Sequence, residues 1–163
     1  MVSDVSKLDE GFPNAIKSVW EGPRFAKPRT MGPEPEVNVL VSEANWAWPE
    51  ALHDIFQPRG INLLVARNTG EFVNIIKRRR IHTAIVDMDS EKSNGLATIK
   101  IIRMDCPLLP CILLTIAAGE EVLSKALRLD VFGVIDKPVD MSILRELLNR
   151  LFIKKYNSDI FAE

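Results

Sequence analysis

The sequence predicts an α/β domain, doubly wound around a five-stranded parallel sheet. Two observations carry this prediction. Short apolar runs alternate along the chain with stretches whose apolar residues recur at helical spacing, and the connections between them are short. The central runs, Ala84-Ile85-Val86 above all, are apolar without alternation, as expected of strands buried on both faces of a parallel sheet. Right-handed crossovers would then bring the carboxyl ends of all five strands to one rim, where ligands gather in open α/β sheets.

Residues 1–35 carry Pro13, Pro23, Pro28, Pro33 and Pro35 with Gly11, Gly22 and Gly32 and hold no period, so they read as a proline-rich N-terminal arm. The domain spans 36–155, and 156–163 is a C-terminal tail. Val37, Val39, Leu40 and Val41 give the first strand. Pro49 suits the first turn of a helix, where its missing N–H is not needed; Leu52, Ile55 and Phe56 supply the buried stripe and Gly60 the stop. The second strand is 61–66. Asn68-Thr69-Gly70 reads as a turn, and a helix follows from Glu71 to about Arg79 through Phe72, Val73, Ile75 and Ile76. Its closing run Lys77-Arg78-Arg79-Arg80 complements the helix dipole.

The third strand, 83–87, ends abruptly in Asp87, with Asp89 just beyond. A polar loop leads to a helix from Gly95 to Met104, with Leu96, Ile99, Ile102 and Ile101 as inward candidates. The fourth strand covers 112–116. A helix from Glu120 to Leu129 buries Val122, Leu123, Ala126 and Leu127. Val131 to Ile135 is the fifth strand, broken by Lys137-Pro138. Asp140 can cap a last helix in which Ile143, Leu144, Leu147, Leu148 and Leu151 recur, with its end near Lys154, Lys155 and Tyr156.

A net charge of -1, from 21 basic and 22 acidic side chains, gives no global pull towards nucleic acid or anionic lipid. No apolar run approaches the roughly 20 residues of a membrane helix, and no signal sequence opens the chain, so no membrane partner and a cytoplasmic location are expected. Cys106 and Cys111 read as a loop thiol and a strand thiol rather than a bridge. His53 and His82 sit on different elements and read as surface or edge residues, which argues against a histidine metal centre.

The predicted rim holds Glu43 and Asn45 after the first strand, Asp87 and Asp89 after the third, Thr115 after the fourth and Lys137 after the fifth. Carboxylates at such a rim suit a hard divalent cation such as Mg2+. A hydroxyl and an ammonium beside them suit a phosphoryl oxyanion. Phosphoryl transfer fits this set, since a carboxylate can attack phosphorus to form an aspartyl phosphate.

With these residues in place, residues 37–153 resemble the receiver domains of two-component response regulators. The resemblance rests on Asp87 at the phosphorylated aspartate, Asn94-Gly95-Leu96 at the turn that follows, Thr115 at the hydroxyl position and Lys137-Pro138 at the Lys-Pro pair, whose peptide bond is usually cis. It implies a flavodoxin-like fold with strand order 2-1-3-4-5. It also implies a phosphoacceptor Asp87 assisted by Thr115 and Lys137, and Mg2+ held by Asp87, the backbone carbonyl of Asp89 and Glu43, with Asn45 through water. The implied partners are a histidine kinase or phosphotransfer protein and a downstream target or fused output domain. A homodimer through the face near Phe132 is a further expectation.

Four departures mark the chain as atypical. Ala44 stands where a second acid is usual, Val134 replaces the aromatic switch residue, Ile116 follows Thr115 where a small residue is usual, and Glu91 replaces a common loop proline. They motivate an alternative function, a degenerate pseudo-receiver that binds protein independently of phosphorylation, with Trp46, Trp48, Phe132 and the arm as candidate contacts.

Overall fold

The computed structural model of the chain describes residues 36–42, 49–90 and 93–162. The arm 1–35, Glu43, Ala44, Asn45, Trp46, Trp48 and Glu91 lie outside the described residues. Two compact units result, Val37–Met141 and one that includes residues 142–162.

The first unit holds a parallel sheet of β1 (Val37–Ser42), β2 (Ile61–Ala66), β3 (Thr83–Asp87), β4 (Cys111–Thr115) and β5 (Gly133–Asp136) in the order β2-β1-β3-β4-β5. Central position explains the sequence of β3 and β4: every residue of both strands is buried, so neither face tolerates alternation. The register pairs Asp87 with Leu114 and Thr115 with Asp136, which aligns the ends of β3, β4 and β5. Leu40, Ala84, Val86, Cys111 and Leu113 meet Phe72, Leu96, Ile99, Ile102 and Ala126 in one contiguous core. Edge strand β2 is less buried, and Val65 is exposed.

Helix α1 (Pro49–Phe56) runs into a 3-10 turn at Gln57–Arg59, and Gly60 stops it at φ 70, a left-handed conformation that glycine adopts without steric cost. Helix α2 (Thr69–Arg78) starts two residues earlier than the sequence suggested. The supposed Asn68-Thr69-Gly70 turn is its capped first turn, because the Asn68 side chain accepts the Glu71 N–H at 2.9 Å. The loop after β3 is not plain coil: Asp89–Ser90 and Ser93–Asn94 pair as a two-residue antiparallel ribbon. In helix α3 (Gly95–Asp105) Leu96, Ile99 and Ile102 are buried but Ile101 is exposed. In helix α4 (Glu120–Arg128) Ala126 is buried and Val122 packs on the core, whereas Leu123 and Leu127, expected inside, face outward.

His82 is a second correction. It is buried, not at the surface: its Nδ1 accepts the Asn38 N–H at 3.1 Å, and its own N–H donates to the Asn38 carbonyl at 2.9 Å. Asn38 in turn donates to the Arg80 carbonyl and accepts from the Asn62 amide, so the amino ends of β1, β2 and β3 share a satisfied polar network. Arg103 makes another junction, donating to the carbonyls of Leu129 and Asp130 at 2.9 and 3.1 Å and to those of Cys106 and Leu109. Cys106 and Cys111 are free thiols, and burial pushes Cys111 up to about 11, against the partial lowering by Arg103.

The second unit carries α5 (Met141–Tyr156), helical through Tyr156, with Leu144, Leu147, Leu148, Leu151 and Phe152 buried and Ile143 exposed. Residues beyond it fold back, so that the Phe161 ring meets Phe152 edge-on at 4.9 Å and Arg145 donates to the Phe161 carbonyl at 3.2 Å. No helix among the described residues is long and apolar enough to cross a membrane.

Candidate functional site

Asp87 ends β3, and its placement is fixed by backbone before its side chain does anything. Its N–H donates to the Ser42 hydroxyl at 3.0 Å, and the next N–H, of Met88, continues the ladder to the Leu114 carbonyl at 2.7 Å. The strand therefore stays paired past its last residue, and Asp87 is held at 7% exposure with its carboxylate at the rim. From the other side α3 closes on the same backbone. A Cβ on Gly95 would lie 2.6 Å from Met88 Cα and 2.8 Å from the Asp87 carbonyl oxygen, so only glycine lets the helix start there. Asn94, preceding it, caps α3 by accepting the N–H groups of Leu96 and Ala97 at 2.9 and 3.2 Å. Asn94-Gly95-Leu96 thus has a local physical reason: a cap, a close approach and a core residue.

Lys137 follows β5, two strands from β3, a gap of roughly 10 Å at ordinary strand spacing. A long side chain from the rim can bridge much of that gap, and Lys137 Nζ lies 2.7 Å from Asp87 Oδ1 and 3.4 Å from Asp89 Oδ2. Its approach is aimed by its own N–H, which donates to the Thr115 carbonyl at 2.8 Å, and the Lys137–Pro138 peptide is cis. Oδ1 of Asp87 also accepts the Asp89 N–H at 3.0 Å, while Oδ2 has no hydrogen bond from a described residue. Charge-assisted contacts of this kind hold a carboxylate in one orientation.

Thr115 is buried at the end of β4, beside Asp87 in the sheet, but its hydroxyl is engaged with the Ala117 backbone at 3.3 to 3.4 Å and makes no direct bond to Asp87. Ile116 points its side chain outward, 68% exposed, and donates its N–H to Asp89 Oδ2 at 2.7 Å. The structure therefore gathers Asp87, Asp89, Lys137 and the Ile116 backbone at one point, with Thr115 alongside. Glu43 and Asn45 fall outside the described residues. Val134 is half-buried and packs against the core, and Phe132, also half-buried, is tied by its N–H to the Cys111 carbonyl at 2.8 Å. Sequence reasoning missed the Ser42 hydroxyl as an acceptor and the Ile116 backbone N–H as a donor, neither of which leaves a motif; the sequence suggests instead a side chain at 116 that would crowd Asp87, and it faces outward.

Two carboxylates on one ammonium, at the aligned ends of parallel strands, define a receiver-type rim. Residues 39–149 match the response regulator receiver domain family, and the chain belongs to that family. Among curated proteins it is 27% identical over 131 residues to an NtrX-like response regulator of Rickettsia typhi, covering 77% of this chain and 28% of that protein. It is 29% identical over 83 residues to the response regulator protein PilR of Pseudomonas aeruginosa, covering 51% of this chain and 19% of that one. The chain thus spans under a third of the length of these relatives. Among solved structures, a response regulator receiver protein from Pseudomonas putida is 28% identical with a TM-score of 0.63, covering 72% of this chain and 98% of its own. The signal receiver domain of an HD domain-containing protein from Pseudomonas fluorescens, at 18% identity and a TM-score of 0.66, covers 74% and 98% and shares the fold.

Proposed function

We propose that this receiver is degenerate and works as a protein-binding module independent of phosphorylation. The observation that supports this reading is the composition of the rim. Among the described residues no three acidic, histidine or cysteine side chains come together to hold a metal, and the two carboxylates that do meet share the Lys137 ammonium. A hard cation wants several oxygen ligands. Mg2+ would be held here by the Asp87 oxygen that lacks a described donor, the Asp89 carbonyl, Glu43 and, through water, Asn45, with Ala44 contributing nothing. Bound there, the metal would supply charge neutralisation to a phosphoryl group. The donor set fits weak binding completed by water.

One observation favours the second reading, a slow phosphoacceptor. Asp87 Oδ2 is the oxygen without a described donor, and Lys137 stands beside it, ready to pair with phosphoryl oxygens. In that reading an Asp87 oxygen attacks the phosphorus of a phosphohistidine on a kinase or phosphotransfer protein. The P–N bond breaks, the imidazole leaves with its electron pair and takes a proton, and an acyl phosphate forms. For either reading the output is a protein partner, and Leu123 and Leu127 on α4, with Ile116 before it, are among the exposed apolar side chains available to it.

Incubation with phosphoramidate and Mg2+, read by intact mass, decides between them. The module reading expects no stoichiometric adduct on the wild type and none on Ala44→Asp. An adduct that appears on the wild type and is lost in Asp87→Ala would establish the phosphoacceptor instead.

A further inference from the structure

The contacts of Asp89 are unlike those of a loop carboxylate facing water. One oxygen, Oδ2, takes the Ile116 backbone N–H at 2.7 Å and lies 3.4 Å from the Lys137 ammonium. A backbone donor and a cation converging on one oxygen are the donors of an oxyanion site, and a short N–H contact to a charged acceptor is the stronger kind of hydrogen bond. The same loop is drawn in from behind, since the Asp89 N–H donates to Asp87 Oδ1, which is itself on Lys137. Asp89, Asp87, Lys137 and Ile116 therefore close a ring that joins the ends of β3, β4 and β5.

We propose that the Asp89 carboxylate is an internal occupant of the oxyanion site at this rim. It holds the β4–α4 loop as a bound phosphoryl group would, with no phosphoryl group present. The inference rests on reading the rim as receiver-type, and it supplies a reason for the degenerate behaviour beyond the missing acid at Ala44. An external tetrahedral oxyanion must displace a carboxylate tethered two residues from Asp87, and a tethered competitor acts at an effective concentration in the millimolar range. Asp89 is part-exposed, with a side-chain accessibility of 31%, so its ion pair is screened and the carboxylate is displaceable in kind. The ligand class is a tetrahedral oxyanion, either free phosphate or a phosphoryl group on Asp87.

The test is a titration of the full chain, labelled with nitrogen-15, with inorganic phosphate, following the Ile116 amide resonance. In the wild type that resonance should stay in place through the titration. In Asp89→Ala it should move and saturate over a range of phosphate concentrations, about tenfold wide, that leaves the wild-type resonance in place. Adding Lys137→Ala to Asp89→Ala should abolish the response. Asp89→Asn, which keeps an acceptor oxygen without the charge, should lie between and stands in if the alanine variant does not fold. An equal response in the wild type and the Asp89 variants, or one that survives loss of Lys137, overturns the proposal. Repeating the experiment with phosphoramidate separates the two sources, because free anion is lost on dilution whereas a phosphoryl group on Asp87 adds mass that survives denaturation. A wild-type adduct would sink the module reading and leave the Asp89 comparison standing. An unmoved Asp89 comparison would do the reverse.

Discussion

Gly95→Ala reverses the usual rule for glycine in a helix. Alanine in place of a helical glycine gains up to about 1 kcal/mol where the new methyl group has room. Here the methyl carbon would sit 2.6 Å from Met88 Cα, some 0.8 Å inside the shortest ordinary contact, and 2.8 Å from the Asp87 carbonyl oxygen. Both obstacles are backbone, so no rotamer change relieves them; α3 must back away or the chain after β3 must move. Overpacking of this kind costs typically 1–3 kcal/mol, and the propensity gain offsets part of it. The net expectation is a loss of about 1–2 kcal/mol, together with a displaced Asp87. Urea unfolding followed by circular dichroism measures the loss, and Gly119→Ser serves as the control. Gly119 caps α4 with nothing within 4 Å of a new Cβ, so serine there should change stability by only a few tenths of a kcal/mol, in the stabilising direction. A Gly95→Ala protein as stable as the wild type would refute the close approach of α3 to the end of β3.

Arg103→Ala removes the donor shared by four carbonyls on two loops, and should destabilise the protein by about 2–4 kcal/mol in urea unfolding. Arg103→Lys should recover less than half of that, because an ammonium lacks the planar fork that reaches both loops. Cys111 should resist a thiol reagent in the folded protein while part-exposed Cys106 reacts, with the second equivalent appearing only on unfolding. The sign of its pH effect follows from burial: a thiol raised from 9.0 to about 11 on folding leaves stability flat below 9 and lowers it as pH rises towards 11, by up to about 3 kcal/mol. Unfolding free energies that stay level across that window would remove the buried thiol from the account.

What could be read in the sequence was whatever a residue type announces by itself. β3 and β4 were legible because burial on both faces forces an unbroken apolar run. Asp87, Thr115 and Lys137 were legible as positions because polar side chains at strand ends stand out against such runs. Helix faces were harder. In α4, Val122 and Ala126 form one i, i+4 pair and Leu123 and Leu127 another, turned by about 100°. Both are apolar, and only the sheet decides which is covered; it covers the smaller pair. His82 was misplaced because its burial depends on Asn38, 44 residues away, whose amide and carbonyl give it partners. Asn68-Thr69-Gly70 was misread for a related reason, since a capping side chain and a turn side chain are the same residue types.

The site shows the same division between side chains and backbone, with a consequence for signalling. Val134 stands where the resemblance to receiver domains implies an aromatic ring; it is a β-branched side chain, restricted about χ1, and packs against the core cluster. On the reading proposed above, a change at the rim would travel through the backbone of the loop after β4. Ile116 is bonded to Asp89 through its N–H, its side chain is exposed, and the loop that it opens leads to Gly119 and the start of α4. Displacing Asp89 would free the Ile116 end of this loop, while the other end stays fixed by the Leu123 N–H on the Gly119 carbonyl at 3.0 Å. Leu123 and Leu127 are the large apolar side chains that α4, which starts at that fixed end, exposes. The rim and the outward face of α4 are thus joined by backbone, without an aromatic residue between them.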